Sequence, residues 1–206
     1  MRLKTKRNFF LFLSVFLIPY FSFADTIKDN FSLLISRDQI KSKIKEVAKE
    51  INTRDKDEEL VILMIMKGSV IFTSDLLREL EDPITLEYIN CSSYGRGNKR
   101  GELFISGSDT LDLEGKNVLV VDDIFDSGNT LNSIKNILLR KKPKSLKTMV
   151  LLYKGDSKKV TSYRPDMYLF DIPDKFVVGY GLDYSENYRG LKDICIIENK
   201  NSKANK

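Results

Sequence analysis

The 206-residue sequence contains no histidine, no tryptophan and only two cysteines, Cys91 and Cys195. The absence of histidine excludes a histidine-based catalytic triad, a histidine–metal site and an imidazole general base. Two isolated thiols more than a hundred residues apart form neither a disulfide framework nor a metal site. Proton transfer in this protein must therefore rely on carboxylates and lysines.

The sequence also lacks a broadly basic surface, although its formal net charge is +5. Residues 1–24 carry four positive charges and no acidic residue, so the remainder is close to neutral. No stripe of arginines and aromatic residues follows. We therefore predict no nucleic-acid partner.

A comfortable membrane span is lacking as well, because the longest apolar run is too short. That run, Phe9–Phe23, follows a basic start and ends at Ala24, so residues 1–24 have the form of a signal peptide. A cleaved leader, an uncleaved anchor and an unused upstream extension all stay open, and only the anchor would bring the protein to a membrane. At the other end, we expect the polar and basic residues 199–206 to be a disordered tail.

Between these ends, apolar runs typical of strands alternate with segments of helical periodicity. A capping-box sequence at Ser36–Gln39 predicts the start of a helix. The alternation indicates an α/β fold with a mainly parallel sheet, formed by one domain over residues 33–198. The predicted strands are Leu60–Met66, Ile84–Ile89, Val118–Val121, Leu146–Tyr153, Tyr168–Phe170, Val177–Tyr180 and Ile194–Ile197.

The most informative stretch follows the buried strand Val118–Val121. Asp122 and Asp123 come where that strand is expected to end, and the polar turn Asp126–Thr130 leads into a segment of helical periodicity. A glycine-containing turn at a helix N-terminus presents backbone N–H groups to a phosphate. The adjacent carboxylates would repel that phosphate unless a divalent metal or sugar hydroxyls lay between them.

Two other predicted strands are also followed by turns that carry a residue able to bind a ligand. Lys67-Gly68 follows the first of these strands and Lys154-Gly155 the second. Ligands bind at the carboxyl ends of strands in an open parallel sheet, so these turns should converge on the acidic stretch. Residues 94–101 are rich in glycine and cations, and we predict that they form a mobile loop.

The acidic stretch resembles the phosphoribosyl-pyrophosphate (PRPP) binding signature of the type I phosphoribosyltransferases. The segment Asp171–Tyr184, with Arg189 close behind, is similar to the 6-oxopurine (hypoxanthine-guanine type) members of that family. Met66-Lys67-Gly68 and Ser93-Tyr94-Gly95 extend the resemblance, which runs from about Leu34 to Glu198. It implies the type I phosphoribosyltransferase fold, in which helices flank the central sheet and a small hood subdomain covers one end. Relatives of this type are usually homo-dimers or homo-tetramers.

The resemblance also implies a role for each matching residue. Asp126 would be the general base, the loop around it would bind the 5′-phosphate of PRPP, and Ser93 and Tyr94 would lie on a loop that closes over the site. In this family the pyrophosphate loop often carries a non-proline cis peptide bond. By this resemblance, Asp126, Ser127, Gly128, Asn129 and Thr130 would bind the 5′-phosphate, and Asp122 and Asp123 would bind the ribose. Pyrophosphate would be bound by Lys67, Gly68 and Arg189, and the purine by Lys154, Phe176, Val177 and Asp183. Mg²⁺ would be bound by Asp122, Asp123 and Asp183.

The implied activity is purine salvage. The enzyme would transfer the phosphoribosyl group from PRPP to N9 of hypoxanthine or guanine, giving IMP or GMP and pyrophosphate, with Mg²⁺ assisting. PRPP is a cytoplasmic metabolite, which favours a cytoplasmic protein despite the leader-like segment. Two alternatives stay open, a PRPP-binding regulator without turnover and a transferase for another base. Lys154 favours a 6-oxopurine over adenine, because an ammonium group donates to an oxo group and not to an amino group.

Overall fold

A computed structural model describes residues 31–54, 57–94, 102–155 and 162–197 of the chain. The predicted leader 1–24 and tail 199–206 lie outside these residues. None of the helices described has the length and apolar character that a membrane span requires. The elements in chain order are β1 (Phe31–Ile35), α1 (Arg37–Ile51), β2 (Leu60–Met66), α2 (Val70–Leu77), β3 (Ile84–Tyr94), β4 (Glu102–Ser106), β5 (Asn117–Phe125), α3 (Asn129–Leu139), β6 (Ser145–Lys154), β7 (Met167–Ile172), β8 (Val177–Val178) and β9 (Ile194–Ile197).

The larger sheet has six strands in the order β4-β3-β2-β5-β6-β7. All neighbouring pairs are parallel except β3 and β4, which form an antiparallel pair at one edge. Helices cover both faces of the sheet, which agrees with the uninterrupted apolar sequence of β2 and the apolar run Val118–Val121 of β5. This architecture confirms the predicted α/β class with a mainly parallel sheet.

Two apolar cores lie on opposite faces of this sheet. On one face, α1 and α2 contribute Ile40, Ile44 and Phe72. On the other face, α3 packs its apolar residues, with Leu131 and Ile134 among them. Because α3 follows directly from the acidic stretch, this packing fixes the helix N-terminus against the carboxyl ends of the strands.

The smaller sheet has three antiparallel strands in the order β1-β9-β8 and forms the hood. Phe31 of β1 lies edge-on to Tyr188, with the ring centroids 5.0 Å apart. We predicted that order begins near Leu33, and Leu33 lies in β1, which starts at Phe31. The sequence did not predict β1 as a strand, because its long-range pairing with β9 leaves little trace in the local sequence.

Two further strand predictions require correction. We predicted a strand that ends at Ile89, but β3 continues to Tyr94 and pairs with β4, which was not predicted. The predicted loop 94–101 lies, apart from Tyr94, outside the described residues. Pairing with β4 extends β3 along a polar sequence that carries no strand signal of its own. The predicted strand Val177–Tyr180 ends at Val178, because Gly179 and Tyr180 both have positive φ angles.

The predicted capping box of α1 is present. The Ser36 hydroxyl accepts from the Gln39 N–H at 3.3 Å, and the Ser36 N–H donates to the Gln39 side-chain oxygen at 2.9 Å. We expect Ser36→Ala to lower the free energy of unfolding by about 1 kcal/mol, because an N-terminal N–H of the helix loses its acceptor. Urea denaturation measures this change. Ser36→Asp keeps an acceptor and should retain most of the stability, so equal losses in both variants would contradict the capping role.

Candidate active site

The carboxyl ends of β2 and β5, with Cys91 of β3, line a cleft of about 350 Å³. This is the edge of a parallel sheet at which ligands bind. Its lining contains ten of the residues to which the sequence assigned a function, namely Lys67, Gly68, Asp122, Asp123, Asp126, Ser127, Gly128, Thr130, Asp183 and Arg189. A second cavity of similar volume lies at the opposite end of the sheet, where Leu60, Asn117 and Ser145 begin their strands. None of the predicted site residues lines this second cavity.

The turn Asp126–Thr130 joins β5 to α3. Gly128 has a φ of 78°, a left-handed conformation that glycine adopts readily, and Asn129 is the first residue of α3. The first turn of α3 contains no acidic side chain that would compete for the N–H groups at its start. The helix N-terminus and the Ser127 and Thr130 hydroxyls therefore form a suitable binding site for a phosphate.

Asp122 and Asp123 lie within β5 and not after its end, which corrects the predicted strand boundary. The pairing of β5 with β2 stops at Val121, whereas its pairing with β6 continues to Phe125. The strand thus loses one neighbour at the first aspartate but keeps the other. This one-sided ending opens the space into which the two carboxylates project.

The two carboxylates share a poorly hydrated environment. Asp122 is only 7% exposed. Burial raises its pKa, and the neighbouring Asp123 carboxylate raises that pKa further. Burial also raises the pKa of Asp123. Such a pair is stabilised by a cation or by hydroxyl groups that donate to it.

The described residues contain no group of three or more histidine, cysteine, aspartate or glutamate side chains close enough to hold a metal ion. Asp183, one of the three predicted ligands, pairs with Arg189 at 2.8 Å. Mg²⁺ usually keeps several waters and binds through one or two carboxylates together with substrate phosphates. Asp122 and Asp123 fit a Mg²⁺ bound in that shared manner.

The turn after β2 packs tightly against the acidic pair and the hood. The Met66–Lys67 peptide bond is cis, at the loop where the resemblance leads us to expect one. A β-carbon added to Gly68 would lie 1.8 Å from an Asp123 carboxylate oxygen. A β-carbon added to Gly181 would lie 2.1 Å from the Gly68 carbonyl oxygen. Two glycines therefore allow the backbone of the hood, the turn and the acidic pair to come into direct contact.

Arg189 connects the hood to the cleft through several contacts. One of its terminal nitrogens donates to the Gly181 carbonyl at 2.8 Å. The other contacts Asp183 at 2.8 Å and Glu186 at 3.2 Å. Glu186 also contacts the Lys67 ammonium at 3.3 Å. The two cations predicted to meet pyrophosphate are thus linked by a single carboxylate.

Lys154, the last residue of β6, brings a buried cation to Asp126. Its ammonium lies 3.3 Å from an Asp126 carboxylate oxygen and 4.0 Å from one of Asp174. Phe176 is 52% exposed and packs perpendicular to Tyr184, with the ring centroids 5.4 Å apart. The exposed Phe176 ring offers an apolar surface on which a planar ring could stack.

The predicted lid residues are described only in part. Ser93 and Tyr94 form the end of β3, where their backbones pair with Leu103 and Glu102. The rest of the predicted loop, residues 95–101, lies outside the described residues.

Sequence reasoning missed three residues of the site region. Cys91 lines the cleft, and burial together with the Asp122 carboxylate raises its pKa to about 11. Gly181 touches the turn after β2, and Glu186 links two cations. Of these three residues, only Gly181 could have been found from the sequence, because Gly179 and Gly181 flank Tyr180. The contacts of Cys91 and Glu186 arise from folding and have no local pattern.

The glycine turn at the start of α3, the buried acidic pair and the two cations have the chemistry that a phosphorylated sugar requires. A sequence model of the phosphoribosyl transferase domain matches residues 36–185. The hypoxanthine-guanine phosphoribosyltransferase of Aquifex aeolicus (strain VF5) is 44% identical over 168 residues, an alignment that covers 81% of this chain and 94% of that protein.

Solved structures agree with this similarity. A crystal structure of a hypoxanthine-guanine phosphoribosyltransferase from Bacillus anthracis superposes with a TM-score of 0.75 at 37% identity, covering 82% of this chain and 99% of that one. Hypoxanthine phosphoribosyltransferase from Trypanosoma cruzi, in complex with the product IMP, gives a TM-score of 0.73 at 37% identity, with coverages of 81% and 93%. The fold is that of a phosphoribosyltransferase. The chain belongs to the hypoxanthine-guanine phosphoribosyltransferase family, and the resemblance inferred from its motifs is confirmed.

Proposed function

We propose that this chain transfers the 5-phosphoribosyl group of PRPP to N9 of hypoxanthine or guanine, forming IMP or GMP and pyrophosphate. The observation that carries the proposal is the contact of Lys154 with Asp126, the first residue of the phosphate turn. A 6-oxopurine has its O6 and N7 atoms side by side on one edge. Lys154 would donate to O6 while Asp126 accepts the proton from N7.

The remaining purine contacts follow from the neighbouring elements. Phe176 would stack on the purine ring, the backbone of Val177 in β8 would bind its edge, and Asp183 would lie nearby. Adenine carries an amino group where hypoxanthine carries O6, and that group would face the Lys154 ammonium without an acceptor. This mismatch favours 6-oxopurines.

The sugar phosphate would be oriented by the three turns. The Asp126–Thr130 turn would bind the 5′-phosphate, and Asp122 and Asp123 would accept from the ribose hydroxyls. Lys67, the Gly68 backbone and Arg189 would bind the pyrophosphate, whose negative charge grows as its bond to C1 breaks. Asp126 would remove the purine proton as N9 attacks C1.

We propose Mg²⁺ as the cofactor, held by Asp122 and Asp123 together with PRPP, and by Asp183 in a second position. The buried and mutually repelling carboxylates of the first pair support this assignment. When bound, Mg²⁺ would neutralise the charge that develops on the departing pyrophosphate.

The cellular setting is proposed on the same chemical basis. PRPP is a cytoplasmic metabolite, so we propose that the enzyme works in the cytoplasm. We also propose a homo-dimer or homo-tetramer. The exposed Leu86 and Tyr88, which alternate along β3, support an interface on that face of the sheet.

A substrate panel tests the function. Residues 25–206 would be incubated with Mg²⁺, PRPP and one base at a time, and nucleotide formation would be followed for hypoxanthine, guanine, xanthine and adenine. We expect turnover of hypoxanthine or guanine and none of adenine. If PRPP or GMP binds but no base is converted, the enzyme proposal is wrong and a regulatory PRPP-binding protein is favoured instead.

A further inference from the structure

We propose that Glu186 is an internal competitor for pyrophosphate. Its carboxylate contacts Lys67 and Arg189, the two cations of the proposed pyrophosphate site. These contacts must break when PRPP or pyrophosphate binds. The inference rests on the proposed function, because it takes Lys67 and Arg189 as the pyrophosphate-binding cations. It adds a residue that sets how tightly this group is held.

The contacts of Glu186 are those expected of a bound anion. Both of its carboxylate oxygens lie 3.3 Å from the Lys67 ammonium. One of them also lies 3.2 Å from a terminal nitrogen of Arg189. Lys67 follows β2, whereas Arg189 lies in the connection between β8 and β9 of the hood, so the carboxylate joins two separate parts of the fold. A phosphate group between the same cations would replace these contacts.

The backbone around Glu186 gives independent support. Tyr184 and Asn187 pair through N–H···O bonds of 3.1 and 3.0 Å in the two directions, which leaves Ser185 and Glu186 as a two-residue turn. Their φ angles are 51° and 63°, a combination for which asparagine and glycine are strongly preferred. A glutamate with positive φ is unusual, and such outliers concentrate at functional sites. The Glu186 N–H also donates to Asp183 at 2.8 Å, which fixes the orientation of the turn.

The exposure of these groups makes the exchange possible. The side chains of Glu186 and Lys67 are 67% and 64% exposed. Ion pairs at such exposed positions are individually weak. Pyrophosphate carries more negative charge than one carboxylate and can displace it. When pyrophosphate leaves, Glu186 can return to the cations, which favours release of the product.

Direct binding measurements on Glu186→Gln test this inference. The variant keeps the shape of the side chain but removes its charge. Titration calorimetry of the full chain with pyrophosphate and Mg²⁺ should show a Kd lower by about two- to fivefold, the scale of weak exposed ion pairs. The Kd for IMP, which has no pyrophosphate group, should stay the same. Product inhibition by pyrophosphate should strengthen by the same factor.

Two further variants make the test specific. Glu114→Gln removes the charge of an exposed glutamate that lies 3.8 Å from Lys142, outside the cleft, and should leave all of these constants unchanged. Lys67→Gln should weaken pyrophosphate binding and reduce the gain from Glu186→Gln, because the two residues act through one contact.

The outcomes separate this inference from the proposed function. If the wild-type chain forms nucleotide and binds pyrophosphate, but Glu186→Gln leaves the Kd unchanged or raises it, Glu186 orients the cations and the competitor role is wrong. If the wild-type chain neither forms nucleotide nor binds pyrophosphate, the proposed function fails and the inference fails with it.

Discussion

Asp126→Asn is expected to lower kcat by about 10²–10⁴-fold, the usual contribution of a positioned general base. Asparagine has nearly the same shape as aspartate, but its amide cannot accept the purine proton. The side chain lies 3.3 Å from the Lys154 ammonium, so the substitution also removes the charge that holds this lysine beside the purine site. Steady-state kinetics with hypoxanthine or guanine as the purine measures the loss.

The expected loss should fall mainly on the chemical step. The 5′-phosphate would be held by backbone N–H groups and hydroxyls of the turn, which the substitution leaves in place, so the affinity for PRPP should change little. Asp171→Asn is the matched control, because Asp171 is an exposed aspartate with no proposed role. It lies on β7, the strand that pairs with β6. Near-normal turnover of Asp126→Asn would refute the general-base role. A loss confined to PRPP affinity would assign Asp126 to phosphate binding alone.

The sequence predicted secondary structure correctly where all residues of an element have the same environment. β2 occupies Leu60–Met66 as predicted, because every one of these positions is apolar and helices cover both faces of the sheet. The start of α3 directly after the turn was also predictable, because the glycine of the turn and the helical periodicity follow one another without interruption. In both cases the local pattern and the tertiary environment agree.

The predictions failed where a distant partner determines the local structure. β4 exists because it pairs with β3, and β5 runs past Asp122 because β6 continues beside it. Glu186 gained its contacts only when the hood placed it between Lys67 and Arg189. Lys67 and Glu186 are 119 residues apart, so no short window of sequence contains both members of that contact.

The contact of the hood with the turn after β2 leads to the other large expected effect. Gly181 has a φ of 103°, and a β-carbon at this position would lie 2.1 Å from the carbonyl oxygen of Gly68. The obstacle is backbone, which cannot rotate away as the end of a flexible side chain can. Gly181→Ala must therefore displace either the hood or the turn that carries Lys67.

We expect Gly181→Ala to lower kcat/KM by at least about 10²-fold, since misplacing a site by roughly 1 Å can cost that much. The free energy of unfolding should fall by about 1–3 kcal/mol, the usual cost of overpacking. Kinetics and urea denaturation of the same preparations measure the two effects.

Two glycine controls separate the clash from the backbone conformation. Gly115 has a φ of 72° with no atom within 4 Å of an added β-carbon, so Gly115→Ala carries only the conformational cost. Gly190 is also open and lies beside Arg189, so Gly190→Ala tests a methyl group near the site without a clash. Both controls should keep kcat/KM near the wild-type value. If Gly181→Ala also keeps it, the approach of Gly181 to Gly68 does not hold the pyrophosphate loop in place. A loss of kcat/KM in Gly181→Ala alone would show that the hood positions Lys67 through direct backbone contact.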